Sequence, residues 1–209
     1  MRRAYPVRVS RKSMQAMAKK AKTLPTIQLE TERLLLKPIS PFQFARQTFH
    51  WTKDRQALSD LNIVVDGWTL RKWWKQMRKL NRSGRVTHGI WVKGQSHPIG
   101  IHMVFLNGQP GDAVTGILIG DHAWRGKGIS VEAKSAVISD LFDRYGVYRV
   151  TSWVNARNFA SLHMTMRLGF KQEAQMREQV VLLDGSRTDF LGFGMLRSDW
   201  NAAAKKDDH

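Results

Sequence analysis

A glycine-punctuated turn is the segment of this chain whose residue types best fit a chemical task. Residues 124–130 read Trp-Arg-Gly-Lys-Gly-Ile-Ser and lie between an apolar run and a long amphipathic stretch. Glycine lets a backbone approach a phosphate closely, and a helix N-terminus supplies unpaired N–H groups at the positive end of its dipole. The segment therefore predicts a binding site for a ligand that carries a pyrophosphate.

A second segment, about two dozen residues later, carries amide and hydroxyl side chains at regular spacing. Residues 155–161 read Asn-Ala-Arg-Asn-Phe-Ala-Ser, and residues 168–170 read Leu-Gly-Phe. This pattern predicts a strand that passes directly into a helix over 156–168, with Gly169 as its C-cap. Asparagine is a preferred N-cap residue, so a helix cap is an expected role for both Asn155 and Asn158, and a cap residue can contact a ligand as well.

Hydrophobic periodicity predicts the elements that position these segments. Strands are expected at 27–37, 88–93, 99–106, 113–119, 148–154, 179–183 and 190–196, and helices at 40–51, 69–82, 130–145 and 156–168. Turn signals between the second, third and fourth strands favour an antiparallel meander. Gly116 inside the fourth strand predicts a bulge or the close approach of another backbone. The Trp73–Trp74 pair is interpreted as core packing of the second helix.

Composition and charge narrow the class of protein. The chain has 209 residues, 42% hydrophobic residues, eight Trp and no Cys, which predicts one globular domain without disulfides, thiolate metal sites or a cysteine nucleophile. No apolar run approaches a membrane span of about 20 residues, so no membrane association and a cytoplasmic location are expected. No metal site is predicted.

The net charge of +17 is concentrated in two blocks that contain no acidic residue. Residues 1–25 carry Arg2, Arg3, Arg8, Arg11, Lys12, Lys19, Lys20 and Lys22, and residues 71–85 carry Arg71, Lys72, Lys75, Arg78, Lys79, Arg82 and Arg85. Such blocks attract polyanions or acidic protein surfaces. They predict RNA or DNA contact through Arg2–Lys22 and Arg71–Arg85, with simple solvation of the tail as the open alternative.

The turn does not match the two commonest nucleotide loops, because its glycines are only those at 126 and 128 and the preceding strands are predicted antiparallel. What fits is Arg-x-x-Gly-x-Ser, with Arg125, Gly128 and Ser130 as fixed points. This resembles the coenzyme A pyrophosphate loop of the GNAT acetyltransferases, whose pattern is Gln/Arg-x-x-Gly-x-Gly/Ala. Residues 29–38, 116–121, 155–161, 168–173 and 189–197 are similar, in order, to motifs of the RimJ/RimL-type branch.

The resemblance covers about residues 26–200 and implies an α+β GNAT fold. The expected architecture is a central mixed, mostly antiparallel twisted sheet of six to seven strands flanked by about four helices. The expected domain organisation is a basic N-terminal extension at 1–25, the acetyltransferase domain at 26–200 and a polar C-terminal tail at 201–209.

The resemblance also implies acetyl-CoA as cofactor. Backbone N–H groups of the turn would hold the pyrophosphate, the fourth strand would pair with the pantetheine arm, and the two asparagines would contact the pantetheine and its sulfur end. The implied cofactor-binding residues are Ile117, Leu118, Ile119, Arg125, Gly126, Lys127, Gly128, Ile129, Ser130, Asn155 and Asn158.

The catalytic groups are less well defined by the sequence. Many GNAT members use a Tyr in the helix before the Gly-Phe pair, whereas Thr165 occupies the nearest position here. Ser161 and Asn155 are the catalytic candidates, and a Glu common in this branch is replaced by Val114. No general base is identified, and the open candidates are a water molecule, His122, His163 and Glu173.

The expected function is N-acetylation, from acetyl-CoA, of a protein N-terminus or lysine on an acidic or nucleic-acid-associated partner, with a homodimer as an option. The alternatives are acetylation of aminoacyl-tRNA and a non-catalytic protein that binds nucleic acid or a macromolecular complex. A small amine acceptor is disfavoured because the helix at 69–82 is expected to give the acceptor side a basic character.

Overall fold

The computed structural model describes residues 26–61, 67–82, 84–106 and 111–201. The predictions for the basic extension at 1–25 and for tail residues 202–209 lie outside these residues. The described strands are β1 (Leu29–Glu30), β2 (Leu34–Pro38), β3 (Arg85–Val92), β4 (Gly100–Phe105), β5 (Asp112–Ile119), β6 (Arg149–Asn155), β7 (Lys171–Val181) and β8 (Arg187–Leu196). The described helices are α1 (Pro41–Thr48), α2 (Arg55–Ser59), α3 (Leu70–Leu80), α4 (Ile129–Asp143) and α5 (Phe159–Arg167), with 3₁₀ turns at Phe49–Lys53 and His122–Trp124.

The eight strands form one sheet in the order β1-β2-β3-β4-β5-β6-β8-β7. Every neighbouring pair is antiparallel except β5 and β6, which are parallel. The predicted meander and the mixed, mostly antiparallel sheet are therefore confirmed. The predicted number of strands was slightly too low, and the split of the first strand accounts for the difference.

The predicted strand at 27–37 is two strands joined by a turn. The Thr31 N–H donates to the Leu34 carbonyl, and the Thr31 hydroxyl both accepts from the Leu34 N–H and donates to Glu132 of α4. Arg33 in the same turn forms an ion pair with Glu132. The break is imposed by a residue about a hundred positions away, which is why local periodicity did not show it.

The strand predicted at 179–183 is also much longer than expected, because β7 begins at Lys171. It lies at the edge of the sheet, and nearly all of its side chains are exposed. An edge strand without a buried face lacks the alternation of apolar and polar residues on which the prediction relied. Register shifts interrupt its pairing with β8, one of them next to Glu178 at φ 51°.

Two apolar cores cover the two faces of the sheet. One packs α4 and α5 against the sheet, and Ala133, Val137 and Leu141 of α4 are fully buried. The other packs α1, α2 and α3 on the opposite face. Thr69 caps α3 as predicted, since its hydroxyl accepts from the Lys72 N–H at 3.2 Å. Trp73 is buried in this core and the half-buried Trp74 packs against it, so core packing of the pair is confirmed.

Gly116 lies in a regular stretch of β5, where it pairs with Met103 of β4 without a register shift. The predicted bulge is therefore wrong, and a Cβ at this position would meet only the Met103 side chain at an ordinary 3.8 Å. Among the described residues, no helix is long and apolar enough to cross a membrane.

Candidate active site

The parallel strands β5 and β6 separate after only three paired positions, and their separation creates a cleft. Pairing runs from Asp112↔Arg149 to Val114↔Thr151, although β5 continues to Ile119 and β6 to Asn155. Beyond the pairing, the facing edges of the two strands are free for a ligand. The cleft has a volume of about 370 Å³.

The cleft brings together most of the residues that the sequence indicated. Those lining it are Ile117, Leu118, Ile119, Arg125, Gly126, Ser130, Asn155, Asn158 and Ser161. The side chains of Lys127 and Ile129 point elsewhere: the Lys127 ammonium lies over the Trp124 ring, 5.0 Å from its centroid, and Ile129 is buried in the core. Gly128 is not among the lining residues either, so a role for Lys127, Gly128 and Ile129 in ligand binding would rest on their backbone N–H groups.

The glycine turn has the left-handed backbone that its sequence requires. Gly126 has φ 73°, and Gly128, the N-cap of α4, has φ 74°. A Cβ on Gly126 would meet no atom within 4 Å, so glycine is needed there for its conformation and not for space. Gly128 has no side chain to cap α4, which leaves the first N–H groups of the helix for a ligand.

Arg125 is held by the protein rather than free in the turn. Its guanidinium donates to the Ile119 carbonyl at 2.8 Å and forms an ion pair with Asp54 at 2.8 Å. It therefore fastens the end of β5 to the segment before α2. Arg33 also stabilises the glycine turn, because it donates to the Lys127 carbonyl and forms an ion pair with Glu132 of α4.

The helix after β6 begins at Phe159, three residues later than predicted, and its cap is Asn158. The Asn155 side-chain oxygen accepts from the Arg157 N–H at 2.9 Å, which makes a turn before the helix starts. The Asn158 oxygen accepts from the Ser161 N–H at 3.0 Å. The predicted cap is therefore confirmed for Asn158 and wrong for Asn155, and Asn158 positions Ser161 at the cleft. The predicted C-terminal Gly169 follows the last helical turn at φ 85°.

Two carboxylates that flank α2, Asp54 and Asp60, line the cleft, and no sequence motif predicted them. Asp60 accepts from the Gln56 amide at 2.9 Å and from the Asn158 amide at 3.0 Å. Burial raises the pKa of Asp60, against the opposing effect of the Gln56 hydrogen bond. Burial also acts to raise the pKa of Asp54, but the Ala57 N–H and Arg125 outweigh it and lower that pKa.

The basic side chains of residues 71–82 were expected to border the acceptor side of the site. None of the basic side chains of 71–82 lines the cleft in the part of the chain that the structure describes. They lie on the exposed side of α3, which packs on α1. The described lining contains the carboxylates Asp54 and Asp60 instead, and a basic acceptor face stays a prediction.

A buried lysine, Lys134 of α4, also lines the cleft and was missed because the apolar pattern around it predicted core. Its ammonium donates to the Ser152 hydroxyl at 3.0 Å. Of the base candidates, His122 lines the cleft and pairs with Asp54, whereas His163 and Glu173 do not line it. Glu173 pairs with Arg149. Thr165 is fully buried and also lies outside the cleft lining.

Comparison with known proteins identifies the class to which this fold and cleft belong. The model of the acetyltransferase (GNAT) domain family matches residues 33–171, which is more than half of the chain. The chain therefore belongs to the GNAT acetyltransferase family and is an acyltransferase, and the expected family is confirmed. The alternative of a non-catalytic protein is accordingly set aside.

Individual relatives are distant but cover almost the whole chain. The [ribosomal protein uS5]-alanine N-acetyltransferase of Escherichia coli (strain K12) is 23% identical over 187 residues, which span 85% of this chain and 94% of the relative. The ribosomal-protein-S5-alanine acetyltransferase of Vibrio fischeri is structurally similar, with a TM-score of 0.68, 17% identity, and coverage of 83% and 98%. A GNAT-family acetyltransferase of Bacillus anthracis gives a TM-score of 0.72 at 15% identity, with coverage of 82% and 99%. At these identities the structural likeness is evidence of the fold.

Proposed function

We propose that this protein transfers an acetyl group from acetyl-CoA to an amine of a protein, with the N-terminal amine of a ribosomal protein as the first acceptor to test. The observation that carries the proposal is the cleft between β5 and β6, which is lined by a phosphate-type turn after β5 and by two carboxylates that flank α2. Acetyl-CoA, when bound, supplies the activated acetyl thioester.

The residues present fit this group along its length. The left-handed turn at Gly126–Gly128 and the uncapped N-terminus of α4 are suited to a pyrophosphate. The edge of Ile117–Ile119 that faces away from β4 offers backbone groups to an extended, amide-containing arm, as an added strand would use them. Asn155 adds a side-chain amide at the end of β6, and no described residue bonds its NH₂ group. The cleft thus provides partners for the pyrophosphate and for the amide-containing arm of the cofactor.

The acceptor amine is proposed to enter beside α2. An amine at neutral pH is a cation, and Asp60 is a carboxylate whose two oxygens are hydrogen-bonded only by neutral amides of described residues. It can therefore attract the ammonium form, and its raised pKa suits it to accept a proton before the neutral amine attacks. Ser161, positioned by Asn158, lines the same cleft.

The names of the relatives support a protein acceptor. The relatives from Escherichia coli and Vibrio fischeri are named for acetylation of alanine on a ribosomal protein. The exposed bases of α3, together with the basic residues at 1–25, are suited to hold the enzyme near a nucleoprotein. The basic residues would then bind the nucleoprotein, and the cleft would carry out the acetyl transfer.

The test is acetylation of a defined set of proteins. The purified protein is incubated with isotope-labelled acetyl-CoA and with ribosomal proteins, both free and in intact subunits, and the products are measured by intact-mass and peptide mass spectrometry. We expect a mass gain of one acetyl group on the N-terminal residue of one or a few proteins. Label on lysine side chains only would redirect the proposal to lysine, and no label on any protein would contradict it.

A second candidate function follows from the basic surface of α3. Arg71, Lys75 and Lys79 are exposed, and Arg78 lies 5.2 Å from the centroid of the Trp74 ring. These groups are of the kind that contacts phosphates and bases of RNA, so aminoacyl-tRNA is the alternative acceptor. Acid-resistant labelling of aminoacyl-tRNA, with no labelled protein, would favour this candidate.

A further inference from the structure

Lys134 is the buried ionisable group in the cleft for which the proposed chemistry above has no use. Its side chain is 1% exposed, although it belongs to the residues that line the cleft. A buried ammonium without a carboxylate partner is costly, so its presence needs an explanation. Among the described residues, its contacts are the Ser152 hydroxyl at 3.0 Å and the Phe170 ring, whose centroid lies 5.0 Å from the ammonium.

The position of Lys134 is set by the point where the sheet opens. Val114↔Thr151 is the last paired position of β5 and β6, so Thr115 and Ser152 are the first residues of the opening. Lys134 reaches Ser152 from α4 beneath the sheet. Its ammonium therefore lies at the narrow, closed end of the cleft, on the side opposite to the entry beside α2.

The proposed reaction needs a proton donor for the departing sulfur. When an amine attacks a thioester, the leaving sulfur departs as a thiolate unless a nearby acid protonates it. The α5 helix has no Tyr to act as that acid, and Thr165 is buried away from the cleft. The other ionisable groups of the lining that can give up a proton, Asp54, Asp60 and His122, flank α2 or lie in the turn after β5. The Ser161 hydroxyl also lines the cleft, but a neutral alcohol is a much weaker acid than an ammonium.

We propose that Lys134 is the catalytic acid that protonates the departing sulfur of coenzyme A, an inference that rests on the proposed function. The nitrogen–carbon bond to the acceptor forms, the carbon–sulfur bond breaks, and a proton moves from Lys134 Nζ to the sulfur. The acceptor amine loses one proton, and Lys134 recovers one from solvent through the cleft. No oxidant, reductant or further reactant is required.

The electrostatic surroundings of Lys134 suit this role. Burial lowers the pKa of Lys134 to about 7, so that the group can give up and regain a proton near neutral pH. His102 of β4 faces it, and burial together with the Lys134 charge keeps the pKa of that imidazole well below its usual value. The remaining ionisable groups of the cleft lining are Asp54, Asp60, His122 and Arg125.

The first test does not depend on activity. Binding of coenzyme A and of desulfo-coenzyme A to the parent protein and to Lys134→Met is measured by calorimetry at about pH 6, where Lys134, with a pKa of about 7, is an ammonium. We expect the parent protein to bind coenzyme A about tenfold more tightly than the desulfo compound, since its sulfur meets the ammonium, and Lys134→Met to bind both equally. Lys37→Met is the matched control: Lys37 also packs over an aromatic ring, that of Trp91, but lies outside the cleft.

The second test is kinetic. Lys134→Met should lower kcat by about 100-fold or more, with little change in the KM for acetyl-CoA, and should remove the fall of kcat at alkaline pH that loss of the Lys134 proton causes. A packing role would be satisfied by methionine, which has a similar length and no charge. Lys134→Gln, which keeps a donor for Ser152 but has no titratable proton, replaces the methionine variant if that variant does not fold.

The outcomes separate the inference from the function on which it rests. If neither compound binds to the parent protein, the cofactor assignment fails and the inference fails with it. If both bind and the parent protein and Lys134→Met show the same discrimination, the inference alone is overturned. A folded variant with unchanged kcat and an unchanged alkaline limb would overturn it as well.

Discussion

The two ends of the cleft are built by different means. The phosphate-type end consists of backbone: two left-handed glycines and the first turn of α4, all within residues 126–130. The proposed acceptor end consists of side chains from separate segments, with Asp60 after α2 and Asn158 before α5 joined by one hydrogen bond at 3.0 Å. Arg125 connects the two ends through its contacts to Ile119 and Asp54.

This difference explains why the phosphate-type end could be predicted from the sequence and the proposed acceptor end could not. A backbone site needs particular residues at fixed local spacing, because only glycine adopts the required conformation without strain. A side-chain site needs only that groups meet in space, and residues 60 and 158 are brought together by the sheet and not by proximity in the chain. It follows that substitutions at the two ends should have separable effects.

The largest effect is expected at the phosphate-type end. Gly128→Glu adds bulk and negative charge where a pyrophosphate is proposed to bind, so acetyl-CoA affinity should fall by more than about 100-fold. Calorimetry measures this directly. Gly94→Glu is the matched control, since Gly94 has φ 83° with open space around it and lies in the turn after β3, away from the cleft. Equal affinity in folded Gly128→Glu would contradict the assignment.

The next effect concerns stability at the closed end. Because the pKa of Lys134 falls from 10.5 to about 7 on folding, the unfolded chain binds more protons between these values and stability should rise with pH. Lys134→Met lacks this dependence and should be more stable than the parent protein by about 2–4 kcal/mol near neutral pH. The gap should narrow towards pH 10. Urea denaturation across this range measures it, and a constant gap would show that the lysine does not titrate.

A smaller effect is expected at the acceptor end. Asp60→Asn keeps the shape of the side chain and removes its charge, so the KM for the acceptor should rise by about tenfold while acetyl-CoA affinity stays unchanged. Asp184→Asn, in the exposed turn between β7 and β8, is the control. A change in acetyl-CoA affinity of the same size would show that the two ends are not separable.

The smallest effect is expected from the basic surface outside the cleft. The double variant Lys75→Glu/Lys79→Glu should leave acetyl-CoA affinity unchanged, because neither side chain lines the cleft. If α3 contacts RNA phosphates, the slope of log affinity against log salt should decrease by about two for tRNA or for ribosomal subunits. Filter binding at several salt concentrations measures the slope, and an unchanged slope would remove α3 from the contact.

Acidic pH offers a further comparison between buried and exposed histidines. Burial lowers the pKa of His88 to about 4, so the unfolded chain takes up the proton first and stability is lost as pH falls from about 6.5 towards 4. His88→Gln should flatten this loss, whereas His97→Gln, at an exposed position, should not. Chemical denaturation at several pH values tests the difference.

Much of the fold could be predicted because its signals are local. The meander of β3, β4 and β5 follows from apolar runs separated by turn residues, and α3 follows from Thr69 and the spacing of Trp73, Met77 and Leu80. The errors arose where a distant residue decided the outcome. Glu132 fixes the turn that divides the first strand, and the position of β7 at the sheet edge removed its apolar alternation.

The sequence by itself determined the family, the class of fold and the glycine turn, since each depends on residue types at short, fixed spacing. Only the tertiary structure decided that β5 and β6 separate after Val114↔Thr151, that Asp60 meets Asn158, and that the Lys134 ammonium is buried beside Ser152. These facts depend on long-range packing, which places charged groups in the cleft without regard to their distance along the chain. The proposed acceptor site and the proposed proton donor both come from that second set.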